Sequence, residues 1–180
     1  ATGRYHSVPS LCNAYDVSVQ VEKNINRGGF INQAQSLNLD LILSISCGQK
    51  LKSELLSIPT EGAINLHGSL LPKYRGRAPA FWVLYHDERY SGVTAHYMND
   101  EFDGGDIICQ RRFPIADHDT MHDVYNKITQ TGADIASDVI EQVRTGNVSA
   151  QSSPAAEGEY RSLPDAADRN EFYRRGNRFR

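Results

Sequence analysis

Hydrophobic and polar positions in the first half of the chain predict strands and helices in turn. Residues 17–21 alternate valine with polar residues, which predicts a short strand with one buried face. Residues 41–46 and 62–66 are almost wholly apolar, and such short runs are typical of strands covered on both faces. Helical spacing of apolar residues predicts helices over residues 30–37 and 50–56. The order strand, helix, strand, helix, strand predicts an α/β fold with a parallel sheet.

The middle of the chain predicts a loop, a short helix and two further strands. Glycines, prolines and cations over residues 68–79 predict an ordered loop, and we expect residues 80–85 to be helical. Strands are predicted over residues 93–97 and 107–110. The acids and glycines between these strands predict a turn.

The longest helical pattern comes next. Apolar residues recur at helical spacing on one face from residue 121 to residue 143. Asp119 or Thr120 is suited to cap the start of this helix, and Gly146 is suited to end it.

The composition then shifts to Ser, Pro, Ala and Glu, which indicates a linker. We therefore expect a catalytic domain over residues 1–150, and a linker with a short tail over residues 151–180. The tail carries several arginines. We expect its aromatic residues Phe172, Tyr173 and Phe179 to anchor it on the domain or on a partner subunit.

Charge and cysteine content narrow the class of protein. The 180 residues include 19 Lys and Arg against 22 Asp and Glu, a net charge of −3, which argues against a strongly basic nucleic-acid coat protein. The cysteines Cys12, Cys47 and Cys109 form no CxxC pair, so neither a disulfide framework nor a cysteine zinc site is expected. The sequence has no apolar run near the ~18 residues of a membrane span, and no signal-peptide pattern. A cytoplasmic protein is the expectation.

Candidate chemistry is concentrated where the third buried strand ends. Asn65 and His67 are two residues apart, so they share one face of that strand. An amide can hold a developing oxyanion, and an imidazole can transfer protons near neutral pH. A carboxylate that orients the imidazole is needed as well, and Asp103 is the first candidate, with Asp100 and Asp106 as rivals.

Simpler interpretations exist for each of these residue types. A single histidine after a strand is more often structural than catalytic, and an aspartate before two glycines is often only a turn former. We interpret His96 as structural because it lies within a strand pattern. His118 and His122 are four residues apart but have no evident third partner, so no metal site is expected.

The exact string of residues favours the catalytic interpretation over the structural one. Residues 64–79 read INLHGSLLPKYRGRAP, which resembles the signature of the folate-dependent formyltransferases. The spacing from this string to residues 92–94 and then to residues 102–108 is similar to that family as well. The resemblance runs from about residue 17 to residue 146. It implies a Rossmann-like formyltransferase fold, with a mostly parallel sheet flanked by helices and with the N-terminal strands missing.

By motif position, the resemblance implies that Asn65, His67 and Asp103 are catalytic and that the formyl donor is 10-formyltetrahydrofolate. The acceptor amine would attack the formyl carbon, while Asn65 and protonated His67 would stabilise the resulting oxyanion. Asp103 would orient His67 and help to move protons. No metal is implied.

The resemblance also implies binding residues. Two segments would line the donor pocket and would contribute Cys47, Gly48, Gln49, Leu51, Asn99 and Asp100. The loop after the catalytic histidine would bind the acceptor and its phosphates, through Ser69, Lys73, Tyr74, Arg75 and Arg77. A rigid loop whose arginines pair with surface carboxylates is an equally open interpretation.

The sequence departs from the family at both ends. A complete member opens with a strand, a glycine-containing turn, a helix and a second strand, and nothing before residue 17 is similar to this. We therefore expect that a β-α-β unit of roughly 30 or more residues is missing.

The sequence says less about the acceptor substrate than about the reaction. The string is closest to two branches, the methionyl-tRNA formyltransferases and the formyltransferases of nucleotide-linked amino sugars. The tRNA branch carries a C-terminal barrel, and residues 151–180 are too few for one. This favours a small-molecule amine on a nucleotide-linked sugar, with tRNA less favoured and a homodimer possible. Two further hypotheses are hydrolysis of the formyl donor and folate binding without catalysis.

Overall fold

The fold is described from a computed structural model, which describes residues 7–154 and 157–180. The chain start at Ala1 lies outside the described residues. The helices are α1 (Val8–Ala14), α2 (Gly28–Ser36), α3 (Ser53–Leu56), α4 (Pro79–Tyr85), α5 (Met121–Arg144) and α6 (Ala166–Arg174). The strands are β1 (Ile42–Ile45), β2 (Ala63–His67), β3 (Arg75–Gly76), β4 (Tyr90–Tyr97), β5 (Ile107–Pro114) and β6 (Tyr160–Arg161).

The main sheet has the order β1-β2-β4-β5 and is flanked by helices, which confirms the predicted α/β class. It is mixed rather than mostly parallel. Only β1 and β2 run parallel, while β2–β4 and β4–β5 are antiparallel. The short turn between β4 and β5 explains why that pair is antiparallel, because a parallel pair needs a crossover of a dozen or more residues. Apolar patterning reports burial of a strand but not its direction.

The strand predicted over residues 17–21 is wrong. This segment has no strand partner, and Val17, Val19 and Val21 are all exposed. A strand is stable only where a neighbour satisfies its backbone, and alternation alone does not supply that neighbour. Helix α3 is also shorter than predicted, because Asn26 binds the backbone of Lys50 and Lys52 and keeps that stretch out of the helix.

The long helix α5 is confirmed. Thr120 is its N-cap, in a capping box with Asp123. Past its end, Gly146 has the positive φ of +67° expected of a helix-terminating glycine. Its apolar face packs on the sheet, where Ile135 and Val139 join a buried cluster with Ile64, Leu66, Val93 and Ala95. The helix therefore supports the two central strands from behind.

The C-terminal tail packs on the rest of the chain. The Phe172 ring is fully buried and stacks on Phe81 in α4, with ring centroids 4.6 Å apart. Phe179 packs against the same two rings. Tyr173, in contrast, stays 58% exposed, although its ring lies 6.2 Å from that of Phe172 and 5.3 Å from that of Phe179. The tail also pairs β6 with β3 in a small parallel sheet, which the sequence did not indicate.

Candidate active site

Strand β2 presents two polar side chains on one face. Ile64 and Leu66 point into the cluster under α5, so the alternation of a strand turns Asn65 and His67 to the opposite face. The loop after β2 lies over this face, and the His67 side chain is only 6% exposed.

Asp103 reaches these residues from the turn between β4 and β5. Its φ of +50° is left-handed, a conformation that aspartate tolerates better than most residues. Gly105 follows where the chain passes so close to the Tyr97 carbonyl that a Cβ would overlap it. The Asp103 carboxylate then lies 3.6 Å from His67 Nδ1 and accepts from Asn65 Nδ2 at 3.4 Å. The structure brings all three predicted catalytic side chains together.

His96 joins this cluster, although the sequence suggested only a structural role. It faces Asn65 in the antiparallel register of β2 and β4 and is 2% exposed. Its Nε2 lies 3.2 Å from Asn65 Nδ2 and 3.6 Å from Asp103 Oδ1, and its Nδ1 donates to the Tyr97 carbonyl at 2.8 Å. Only the register could have indicated this placement, because the two residues are far apart in sequence.

The loop after β2 closes over the cluster with its backbone. His67 Nε2 donates to the Tyr74 carbonyl at 2.8 Å, and the Gly76 N–H donates to Asp103 Oδ2 at 2.6 Å. The rival aspartates Asp100 and Asp106 are both exposed, and neither side chain is recorded in contact with Asn65 or His67. Asp103 is therefore the carboxylate that the fold selects.

Electrostatics favour a neutral imidazole beside a carboxylate. Burial lowers the pKa of His67, and this outweighs the Asp103 charge and the Tyr74 hydrogen bond, which raise it. Burial on its own would raise the pKa of Asp103. The His96 side chain, His67 in its protonated form and the Gly76 N–H together hold that pKa below its usual value.

Most of the predicted acceptor-binding side chains bond to other groups of the protein, while Arg77 is exposed. Ser69 is fully buried, and its hydroxyl donates to the Lys73 carbonyl, so this side chain is engaged within the loop. Lys73 pairs with Glu88 at 2.9 Å, and Arg75 donates to the Phe102 carbonyl at 2.6 Å. The Tyr74 hydroxyl donates to Glu88 at 2.9 Å. Arg77 is exposed.

The two predicted donor-binding segments lie side by side. Lys50 Nζ donates to the Asp100 carbonyl at 2.5 Å and sits 5.1 Å from the centre of the Phe102 ring. Within the first segment, Leu51 is buried and the Gln49 side chain accepts from the Ile25 N–H, so both side chains serve the fold. Gly48 faces open space, with no atom within 4 Å of a Cβ built there. Exposed residues complete the two segments: Cys47, Asn99 and Asp100.

Residues 7–154 and 157–180 show neither a metal site nor a membrane span. No group of three His, Cys, Asp or Glu side chains in this part of the chain is arranged to hold a metal ion. None of its helices is long and apolar enough to cross a membrane.

An α/β sheet that brings an amide, an imidazole and a carboxylate together can stabilise an oxyanion and move a proton, which is chemistry that a group-transfer protein needs. The family model described as "Formyl transferase" matches residues 13–140. The chain belongs to this family.

Relatives support the same assignment. The methionyl-tRNA formyltransferase of Fusobacterium nucleatum is 32% identical over 147 residues, which are 82% of this chain and 47% of that protein. The chain thus spans about half the length of the curated relatives it matches.

Solved structures are similar as well. A sugar N-formyltransferase from a Shewanella species has a TM-score of 0.71 and 26% identity over 86% of this chain and 60% of that one. The formyltransferase PseJ from Anoxybacillus kamchatkensis, solved with a UDP-linked formamido sugar and tetrahydrofolate, has a TM-score of 0.73 and 25% identity. That match covers 94% of this chain and 87% of PseJ.

Proposed function

We propose that this chain carries the catalytic site of a folate-dependent N-formyltransferase, which moves a formyl group from 10-formyltetrahydrofolate to a primary amine. The observation that carries the proposal is the convergence of Asn65, His67 and Asp103 in a chain of the formyl transferase family. The acceptor we propose is an amine on a nucleotide-linked sugar.

The segments around Gly48 and Asp100 fit the donor. A flat pterin ring with donors and acceptors along its edge suits an exposed backbone, and Gly48 leaves room for a close approach. Lys50 ties this segment to the Asp100 carbonyl and so keeps the two walls together. When bound there, the donor supplies a formyl group on nitrogen.

His67 is the proton acceptor in this proposal. Its pKa lies below the ordinary value, so the imidazole is neutral at rest and takes the proton that the attacking amine gives up. Asp103 stays ionised and stabilises the imidazolium that results. His67 then returns the proton to the departing nitrogen. The imidazolium therefore exists only during the reaction, not in the resting protein.

Asn65 stabilises the negative charge that develops on the formyl oxygen. Its Nδ2 has two N–H donors, which at rest point to His96 at 3.2 Å and to Asp103 at 3.4 Å. The 3.4 Å contact with Asp103 is long for a hydrogen bond. The N–H that makes this contact is therefore the one that turns to the formyl oxygen. Such contacts in a free site commonly tighten once substrates bind.

The structural relatives support the sugar acceptor. The match to PseJ covers 94% of this chain and 87% of that one, and the PseJ structure holds a UDP-linked sugar together with tetrahydrofolate. In this chain Arg77 is exposed on the loop beside the cluster, where its guanidinium can meet a phosphate.

Methionyl-tRNA is the second candidate acceptor. It is favoured by one observation, the 32% identity to the Fusobacterium enzyme over most of this chain.

An acceptor panel tests the proposal. The purified protein is incubated with 10-formyltetrahydrofolate and UDP- or dTDP-linked amino sugars, methionyl-tRNA, or no acceptor, and release of tetrahydrofolate is followed. We expect turnover with an amino sugar. Turnover with methionyl-tRNA alone would establish the second candidate, and turnover without any acceptor would indicate a hydrolase. Folate binding with no turnover at all would refute an enzymatic role.

Substitutions test the assigned roles. We expect His67→Ala and Asp103→Asn each to lower kcat about 100-fold or more, because each removes part of the proton transfer. Asp106→Asn is the matched control, since Asp106 follows in the same turn but is exposed. It should retain activity within about twofold. Equal losses in all three variants would remove the assignment.

A further inference from the structure

The active-site loop, residues 73–78, depends on its surroundings for its shape. Three of its residues have left-handed φ angles, with +58° at Tyr74, +97° at Gly76 and +54° at Ala78. This conformation is strained for the two residues that carry a Cβ and persists only where neighbours hold it. The same loop supplies the Tyr74 carbonyl to His67 and the Gly76 N–H to Asp103. Whatever holds the loop therefore positions both side chains.

The tail strand β6 holds the outer edge of this loop. It pairs with β3 in register, Tyr160 opposite Arg75 and Arg161 opposite Gly76. The Arg77 N–H donates to the Arg161 carbonyl at 2.8 Å. Contact at Gly76 is close, because a Cβ there would overlap the Arg161 carbonyl and lie 2.6 Å from the Tyr160 ring. The backbone that donates to Asp103 is thus pressed between the carboxylate and the tail.

Strand β6 is itself attached to the domain on both sides. Trp82 Nε1 donates to the Ser162 carbonyl at 3.0 Å, and the Arg161 guanidinium lies 5.3 Å from the Trp82 ring centre. On the other side, the Tyr160 ring is 5.7 Å from the ring of Phe102, the residue before Asp103. Tyr160 therefore contacts both parts of the chain that carry the carboxylate and its backbone donor.

We propose that β6, through Tyr160, is a positioning element of the active site. It keeps the loop in the conformation in which Tyr74 and Gly76 orient His67 and Asp103. The proposal rests on the function proposed above, because it concerns the same site. No catalytic side chain is recorded in contact with Tyr160, so the effect passes through the loop backbone and the Phe102 turn.

Three variants test this kinetically. Tyr160→Ala removes the ring, Tyr160→Phe keeps it, and Leu163→Ala is the matched control, because Leu163 is an exposed tail residue near β6. Tyr160 is 45% exposed, so its removal leaves no buried cavity. We expect Tyr160→Ala to lower kcat about 10-fold, with the KM of the donor within about twofold, since misplaced catalytic groups slow the chemical step. Tyr160→Phe and Leu163→Ala should match the parent protein. An unchanged kcat, or a higher acceptor KM at unchanged kcat, would overturn the proposal.

A second measurement needs no substrate. NMR of protein labelled with ¹⁵N-histidine reports solvent exchange of the His67 Nε2 proton, which the Tyr74 carbonyl accepts. We expect this exchange to be about 10-fold faster in Tyr160→Ala than in the parent and in Tyr160→Phe. Equal exchange rates in all variants would overturn the positioning role. Because the signal is read without turnover, a wrong acceptor or a wrong reaction would leave this result interpretable.

Discussion

At the scale of single residues, His67 occupies an environment with opposing effects on its charge. The Tyr74 carbonyl and the Asp103 carboxylate both favour the imidazolium, while burial and the neighbouring His96 oppose it. Burial has the largest effect, so the pKa of His67 is lowered from its usual 6.5. His67 is therefore available as a base at neutral pH, and it can hold a proton once the reaction supplies one.

The pH dependence of activity follows from this balance. We expect kcat, measured with saturating acceptor, to rise with pH along an acid limb whose apparent pKa lies below 6.5, because only neutral His67 accepts the amine proton. Asp103→Asn removes a charge that raises the pKa of His67, so the limb should move to lower pH. His96→Gln removes a group that lowers the same pKa, so the limb should move to higher pH. Shifts of both variants in the same direction would contradict the assignment.

At the scale of elements, helix α5 determines how well β2 presents its polar face. Its buried residues Ile135 and Val139 pack under Ile64 and Val93, the neighbours of the site on the two central strands. The start of the helix is stabilised by Thr120, whose hydroxyl accepts from the Asp123 N–H, and by Asp123, whose carboxylate accepts from the Thr120 N–H. Two of the backbone donors that a helix start leaves unpaired are satisfied in this way.

We expect Thr120→Ala to lower the free energy of unfolding by ~1 kcal/mol, because it removes one half of the capping box. Urea denaturation measures this. Thr129→Ala is the control on the same helix, since Thr129 is exposed and its hydroxyl bonds only to the Tyr125 carbonyl. It should leave stability unchanged within about 0.5 kcal/mol. A loss in the control as large as in Thr120→Ala would show that the cap is not responsible.

At the scale of the whole molecule, the tail is part of the core. Phe172 has no exposed surface, and its ring stacks on Phe81 in a buried cluster that also contains Trp82 and Val124. The same tail pairs with the active-site loop through β6. Removal of the tail would therefore uncover α4 and release the loop together.

We expect Phe172→Ala to destabilise the protein by about 3–5 kcal/mol, the usual result of truncating a fully buried aromatic residue. Tyr173→Ala, at the exposed neighbouring position, should cost less than about 1 kcal/mol. Thermal or urea unfolding of both variants distinguishes them. Similar stabilities of the two variants would mean that the tail is not an integral part of the core.

Several features could be predicted from the sequence because they depend on local patterns. Apolar spacing indicated α5, with a cap at Asp119 or Thr120, and the buried runs indicated β1 and β2. The string around Asn65 and His67 indicated the family, which the match over residues 13–140 confirms. Such features need only neighbours along the chain, so periodicity and motif spacing contain them.

The remaining features of the fold and the site were decided by the tertiary structure alone, because these features depend on which distant segments meet. The antiparallel register of β4 on β2 places His96 against Asn65, and the left-handed turn selects Asp103 from its rivals Asp100 and Asp106. The pairing of β6 with the active-site loop joins residues more than eighty positions apart. By itself the sequence determined the chemistry the site contains. The packing of strands, turn and tail decided which side chains come together in the site, since no local sequence pattern specifies which distant segments are in contact.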